Sequence, residues 1–135
     1  MDLTHNRGDI FRAFLEGIAM GTAQVFETYE AIGQNPKKIM AVGGGTKNNI
    51  WMQATSDFSK IDQVISEKST GASYGNAFLA ALAVGAVSQR DITRWNPELS
   101  KIETQHSALH AEKNKLFRQL YENSKKIAHA VADST

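Results

Sequence analysis

The run Ile39-Met40-Ala41-Val42-Gly43-Gly44-Gly45-Thr46-Lys47-Asn48 holds the residues best placed to do chemistry. An apolar stretch suited to a short buried strand runs into a glycine triplet, and a helical pattern follows. Glycines at such a junction let backbone approach a ligand with no Cβ in the way, while the unpaired amides of a helix start favour anionic or hydrogen-bonding groups. A nucleotide suits that chemistry, and so does a plain turn at a strand end. The segment is neither of the common phosphate loops. A Walker A loop needs lysine followed by serine or threonine, and Lys47 is followed by Asn48; a dinucleotide fingerprint needs glycine where Asn48 stands. Lys47 reads as a solvated surface lysine. The Asn48 amide can donate and accept, which fits the polar edge of a purine or a ribose and equally fits holding the turn.

Other reactive groupings are thinner. His106 and His110 stand at i, i+4, a spacing that on one helical face could hold a metal, but no third ligand accompanies them and no His-Glu-x-x-His pattern is formed. No metal site is assigned. His5 and His129 read as surface or packing residues. Serines and aspartates are plentiful, yet no Gly-x-Ser-x-Gly elbow occurs, so a hydrolase is unsupported. With no cysteine, disulfides, thiolate metal sites and cysteine nucleophiles are excluded.

The elements that must position the loop follow from periodicity. Ile10, Phe11, Phe14, Leu15, Ile18, Val25 and Phe26 predict a long helix from Asp9 to about Ile32. Ala13, Gly17 and Gly21 form a small-residue stripe on it, and glycine within a helix costs about 1 kcal/mol relative to alanine, so the stripe predicts a tightly packed neighbour such as a sheet. Arg12 and Glu16 read as a structural i, i+4 pair. Gly33 to Lys38 breaks the helix. Ile39–Val42 predicts a strand; a helix capped by Thr46 then carries Ile50, Trp51, Met52, Ala54 and Phe58, and Ile61–Ile65 predicts a second strand. The three make a βαβ unit with parallel strands. Ala72 to about Ala86 predicts an alanine-rich helix opened by Thr70-Gly71. Ser88 to Ser107 reads as loop with a short helical turn, and 108–135 as a terminal amphipathic helix appended to a core spanning 1–107.

Length, composition and charge narrow the field. The chain has 135 residues, of which 41% are hydrophobic, enough for one domain with a modest core. A formal charge of +1, dispersed along the chain, gives no basic stripe for a phosphate backbone, so nucleic acid is not an expected partner. The start lacks the apolar region of a secretory signal, and no apolar run approaches the ~20 residues that cross a bilayer, so neither export nor a membrane partner is expected and the cytoplasm is the expected compartment. Two strands are too little sheet for the apolar faces of four helices, which predicts that strands from outside this chain, or from a second copy in a homo-oligomer, complete the sheet.

Gly43-Gly44-Gly45-Thr46-Lys47-Asn48-Asn49-Ile50-Trp51-Met52-Gln53, followed by Ser56-Asp57, resembles the adenosine motif of the FGGY carbohydrate kinases, with its glycine triplet, tryptophan and glutamine in that order. Gly75-Asn76-Ala77-Phe78-Leu79-Ala80-Ala81-Leu82-Ala83-Val84-Gly85 is similar to the family's next landmark, and His5 to Ala19 resembles the segment after its second phosphate loop. Ser56 departs from a usual alanine and Thr70 from a frequent glutamate. Thr70 to Gly75 looks most like the xylulose kinase-like branch.

The resemblance implies an α/β fold, part of an actin-like ATPase (ribonuclease H-like) domain, helix-rich with a small, partly parallel sheet. It implies that Gly44, Gly45 and Asn48 line the adenine and ribose of ATP, that Gly43 shapes the turn, and that Trp51 and Gln53 support the loop. The chain is then a single carboxy-terminal fragment of the nucleotide-binding domain of a sugar kinase, transferring the γ-phosphoryl group of ATP to a sugar hydroxyl with Mg²⁺. The family's first phosphate loop, sugar pocket and aspartate base belong to sequence absent here, so no residue of this chain is expected to be catalytic and the isolated chain is expected to be inactive. The alternative is a non-catalytic actin-like module that binds nucleotide or a protein.

Overall fold

A computed structural model describes residues 4–68 and 71–134. Helix α1 (Arg7–Ala31) starts earlier than its apolar periodicity suggests, because Asn6 and Asp9 form a capping box. The Asn6 side chain accepts from the amides of Gly8 and Asp9, and the Asp9 carboxylate accepts from the Asn6 amide at 2.8 Å. These reciprocal bonds satisfy amides that a helix otherwise leaves open.

After Gly33, at φ +80°, come strand β1 (Ile39–Ala41), helix α2 (Asn49–Ser59) and strand β2 (Gln63–Ser66). β1 and β2 are parallel, with Met40 opposite Val64, so the expected βαβ unit is present. Strand β2 is central. On its other side β3 (Glu98–Ile102) pairs antiparallel, with an irregularity between Ile65 and Ser66, giving the order β1-β2-β3. β3 corrects the expectation of loop across Ser88 to Ser107. It is an exposed edge strand with charged residues and Pro97 just before it, and such edges carry little of the alternation that betrays a strand. The same stretch also contains a short helix, α4 (Ile92–Trp95).

The core is small and lies between α1 and α2. Leu15, Ala19 and Ala23 of α1 are buried, and Ala19 and Ala23 meet Ala54 and Phe58 of α2, with Met20 beside them. The small residues that bring α1 close are thus Ala19 and Ala23. The expectation that Gly17 and Gly21 face a tight neighbour is corrected: a Cβ at either would meet nothing within 4 Å among the described residues. Phe11, Phe14 and Ile18 of α1 are likewise exposed.

Helix α3 (Ala72–Ala83) is anchored through aromatic side chains, Phe78 standing edge-on to Trp95 at 5.4 Å and the Tyr74 hydroxyl donating to the Trp95 carbonyl at 3.0 Å. Thr70, expected to open this helix, lies outside the described residues. Helix α5 (Ala108–Ala132) closes the chain as expected. Lys113 bonds Glu16, Arg118 bonds Glu27, and buried Asn114 donates to the carbonyl of Phe58 at 3.1 Å, so α5 is tied to both core helices. Among the described residues no helix is long and apolar enough to cross a membrane.

Candidate functional site

The glycine triplet sits where β1 ends and α2 has yet to start. Gly43 has φ 90° and ψ −173°, a conformation essentially restricted to glycine, so the first glycine turns the chain out of the sheet. Residues Gly44–Lys47 then form a single 3-10 turn. The Thr46 hydroxyl donates to the Gly43 carbonyl at 2.8 Å, which closes the turn from within. Thr46 was expected to cap the following helix; Asn48 does so instead, its side-chain oxygen accepting from the Trp51 amide at 3.1 Å. An extra 3-10 turn between glycines and helix moves the cap two residues along.

Each glycine has its own surroundings. A Cβ on Gly43 or Gly44 would meet nothing within 4 Å, so the backbone there is bare among the described residues. A Cβ on Gly45 would stand 2.8 Å from the Trp51 ring, so the third glycine is required by the side chain that braces the loop from below. Trp51 therefore supports the loop as expected. Gln53 does not: its amide donates to Asp57 at 2.9 Å and to the Glu103 carbonyl at 3.0 Å, tying α2 to the segment after β3.

With the Asn48 side-chain oxygen engaged as a cap, its side-chain nitrogen Nδ2 enters no hydrogen bond among the described residues and is left to donate. Bare glycine backbone beside an available amide donor fits a flat heteroaromatic ring with ring-nitrogen acceptors or a ribose hydroxyl. The loop itself lines none of the principal cavities. One of about 320 Å³ lies between α1, α2 and α5, beside Arg12, Glu16 and Asp57. A larger one, about 520 Å³, lies against Met40, Phe78 and Trp95 on the sheet face away from α2, and is mainly apolar. Neither carries the arrangement of the loop, whose open side is solvent.

Behind the loop, Ser56, Asp57 and Gln63 are buried, which their residue types do not suggest. Ser56 is fully buried; its hydroxyl accepts from Gln63 at 2.9 Å, and the same Gln63 nitrogen donates to the Met52 carbonyl at 2.5 Å. The serine in place of alanine thus has a partner on β2. Asp57 accepts from the Gln105 amide at 2.6 Å, and its own carbonyl accepts from His106 Nδ1 at 2.8 Å. Glu16 sits below its ordinary carboxyl range: burial pushes it up, but hydrogen bonds and charge from Lys113 and Arg12 outweigh burial.

His106 and His110 do not share a helical face. His106 precedes α5, and its Nδ1 is committed to Asp57; His110 Nδ1 accepts from the Ser107 amide at 3.1 Å in the start of that helix. Their ring centroids are 5.8 Å apart. Among the described residues no group of three His, Cys, Asp or Glu side chains could hold a metal ion.

Residues 1–84 match the family described as FGGY family of carbohydrate kinases, C-terminal domain. The xylulose kinase of Bacillus subtilis (strain 168) is 33% identical over 85 residues, covering 63% of this chain and 17% of that protein. Among solved structures, xylulose kinase from Rhodospirillum rubrum superposes with a TM-score of 0.81 at 25% identity, covering 96% of this chain and 27% of that one. Plasmodium falciparum glycerol kinase with ADP gives 0.70, also at 25% identity, covering 96% of this chain and 25% of that one. The chain thus spans about a quarter or less of the length of these relatives. Its helix-rich frame and small mixed sheet are part of the actin-like ATPase fold of these sugar kinases. With the family match covering residues 1–84, more than half of its length, the chain belongs to the FGGY family of carbohydrate kinases and carries sequence of that family's C-terminal domain.

Proposed function

We propose that this chain forms the adenosine side of the ATP cleft of a carbohydrate kinase, with Gly43, Gly44, Gly45 and Asn48 against the nucleoside. The observation that carries this reading is the bare backbone at Gly43 and Gly44, braced by Trp51 and flanked by the Asn48 donor. The ADP in the glycerol kinase of similar fold supports a nucleotide as guest. A base stacked on glycine backbone needs the absence of Cβ atoms, and the loop provides that at two consecutive residues.

Phosphoryl transfer joins a sugar hydroxyl oxygen to the γ-phosphorus as the bond to the bridging oxygen of ADP breaks, and the hydroxyl proton passes to a base. Its rate depends on in-line positioning and on charge neutralisation, so a cleft with one wall gives essentially no turnover. In this reading the base, the sugar pocket and the phosphate loops come from sequence outside this chain, and Mg²⁺ accompanies the ATP phosphates rather than side chains described here. The chain's own contribution is to bind and orient the nucleoside end. Alone, it should hold ATP weakly and phosphorylate no sugar.

In a full-length kinase containing this chain, Gly44→Val should raise the KM for ATP far more than the KM for sugar. Equal changes in both would defeat the assignment, as would sugar-dependent ADP release by the purified chain.

A further inference from the structure

We infer that α5 is a self-association element, pairing antiparallel with α5 of a second copy of this chain about a two-fold axis near Gln119. The inference is independent of the nucleotide site. Leu109, Leu116, Leu120, Ile127 and Val131 lie within a narrow stripe of the helix, at steps of seven and four residues. All five are exposed, Leu120 at 64% and Ile127 at 69%, and no described residue covers them. The side of α5 that docks on its own chain is a different one, marked by buried Asn114 and by the pair of Arg118 with Glu27, while Lys113, at the border of the stripe, reaches back to Glu16. From Leu109 to Val131 the stripe is about 33 Å long at 1.5 Å per residue, the length of a substantial two-helix seam.

Charge and polarity along the stripe select the occupant and its direction. In a parallel pair, equivalent residues meet, so Lys113 would face the partner's Lys113, a like-charge contact within the seam. Reversing one helix places Leu116 opposite the partner's Leu120, Leu109 opposite the partner's Ile127, and Lys113 opposite the partner's Asn123. The same register sets Glu112 beside the partner's Lys126 and, by symmetry, Lys126 beside the partner's Glu112, with Gln119 meeting the partner's Gln119 on the axis. Within the chain, Lys113, Arg118, Glu122 and Lys125 are already in ion pairs, whereas Glu112, Lys115 and Lys126 enter none among the described residues. Of these three, Glu112 and Lys126 flank the apolar stripe at positions that an antiparallel copy would match. Flanking charges of this kind set partner and orientation in helix pairs, and a self-complementary patch is what a two-fold dimer requires.

The test uses sedimentation equilibrium on the full 135-residue chain, together with cysteine cross-linking, for which the native sequence offers no competing thiol. The chain should sediment at twice its own mass, and Leu120→Glu should return it to monomer while circular dichroism keeps its helical signal. Gln119→Cys should form a disulfide-linked dimer under mild oxidation, and Lys113→Cys should not. Glu112→Lys and Lys126→Glu should each weaken the dimer, and the double exchange should restore it. A monomer at every concentration overturns the inference, and so would a dimer that Leu120→Glu leaves intact. Cross-linking through Lys113→Cys in preference to Gln119→Cys would overturn the antiparallel arrangement.

Discussion

A Cβ at Gly45 would lie 2.8 Å from Cζ3 of Trp51, closer than carbon atoms tolerate. The third glycine of the loop is thus fixed by the ring beneath it rather than by a guest above it. Gly45→Ala should therefore push Trp51 aside and cost about 1–3 kcal/mol of stability, the usual penalty of overpacking. Urea denaturation of Gly45→Ala, Trp51→Leu and the double variant checks the coupling: the double variant should lose clearly less than the sum of the singles. Strict additivity would contradict the contact.

Gly43 and Gly44 should separate conformation from recognition. Gly43→Ala forces a side chain into a backbone region open essentially to glycine alone and should cost about 1–3 kcal/mol. Gly44→Ala meets open space and should change stability by no more than about 0.5 kcal/mol, as at an ordinary surface site. Thermal or urea unfolding of the two variants side by side reads the difference.

Ser56 and Gln63 form a buried hydrogen bond between α2 and β2. Ser56→Ala should cost about 1–2 kcal/mol, since Gln63 keeps the Met52 carbonyl but loses one acceptor. Combining it with Gln63→Leu should lose less than the two separate losses added together, because removing both partners leaves neither unsatisfied. Unfolding free energies for the four proteins complete the cycle.

Glu16 should make folding sensitive to acid. Its carboxyl lies below the ordinary value of 4.5 in the folded chain: burial opposes this, and the bonds from Lys113 and Arg12 prevail. A carboxyl lowered on folding contributes stability that is present above its unfolded value and is lost as pH falls through its folded one. Wild-type stability should therefore decline below about pH 4.5, and Glu16→Gln should show a shallower decline over that window. Urea midpoints measured at descending pH give the comparison, and parallel curves would refute it.

The strand, glycine loop and helix around Gly43 were legible because three periodic patterns meet there with an unmistakable break between them. β3 was not, because Glu98 to Ile102 is an exposed edge whose partner on β2 is buried; its signal lies in pairing across the sheet and not in its own alternation. The Gly17 and Gly21 stripe misled for a related reason: α1 approaches α2 through Ala19 and Ala23, each two residues, about half a helical turn, from a glycine and so on the opposite face. Thr46 and Asn48 are both good caps by residue type, and only the 3-10 turn over Gly44–Lys47, which takes up Thr46, decides which one caps. His106 and His110 have helical spacing in number, but the helix starts between them. The buried network of Ser56, Gln63 and Asp57 consists of residues that sequence alone assigns to the surface, and their partners lie on other elements.

Amide chemical shifts of the isotope-labelled chain titrated with ATP test the central claim most directly, since they register even weak binding residue by residue. The account predicts concentration-dependent shifts at Gly43, Gly44, Gly45 and Asn48, and their loss in Gly44→Val with the rest of the spectrum unchanged. Saturating ATP that moves other residues and leaves that loop still would contradict it.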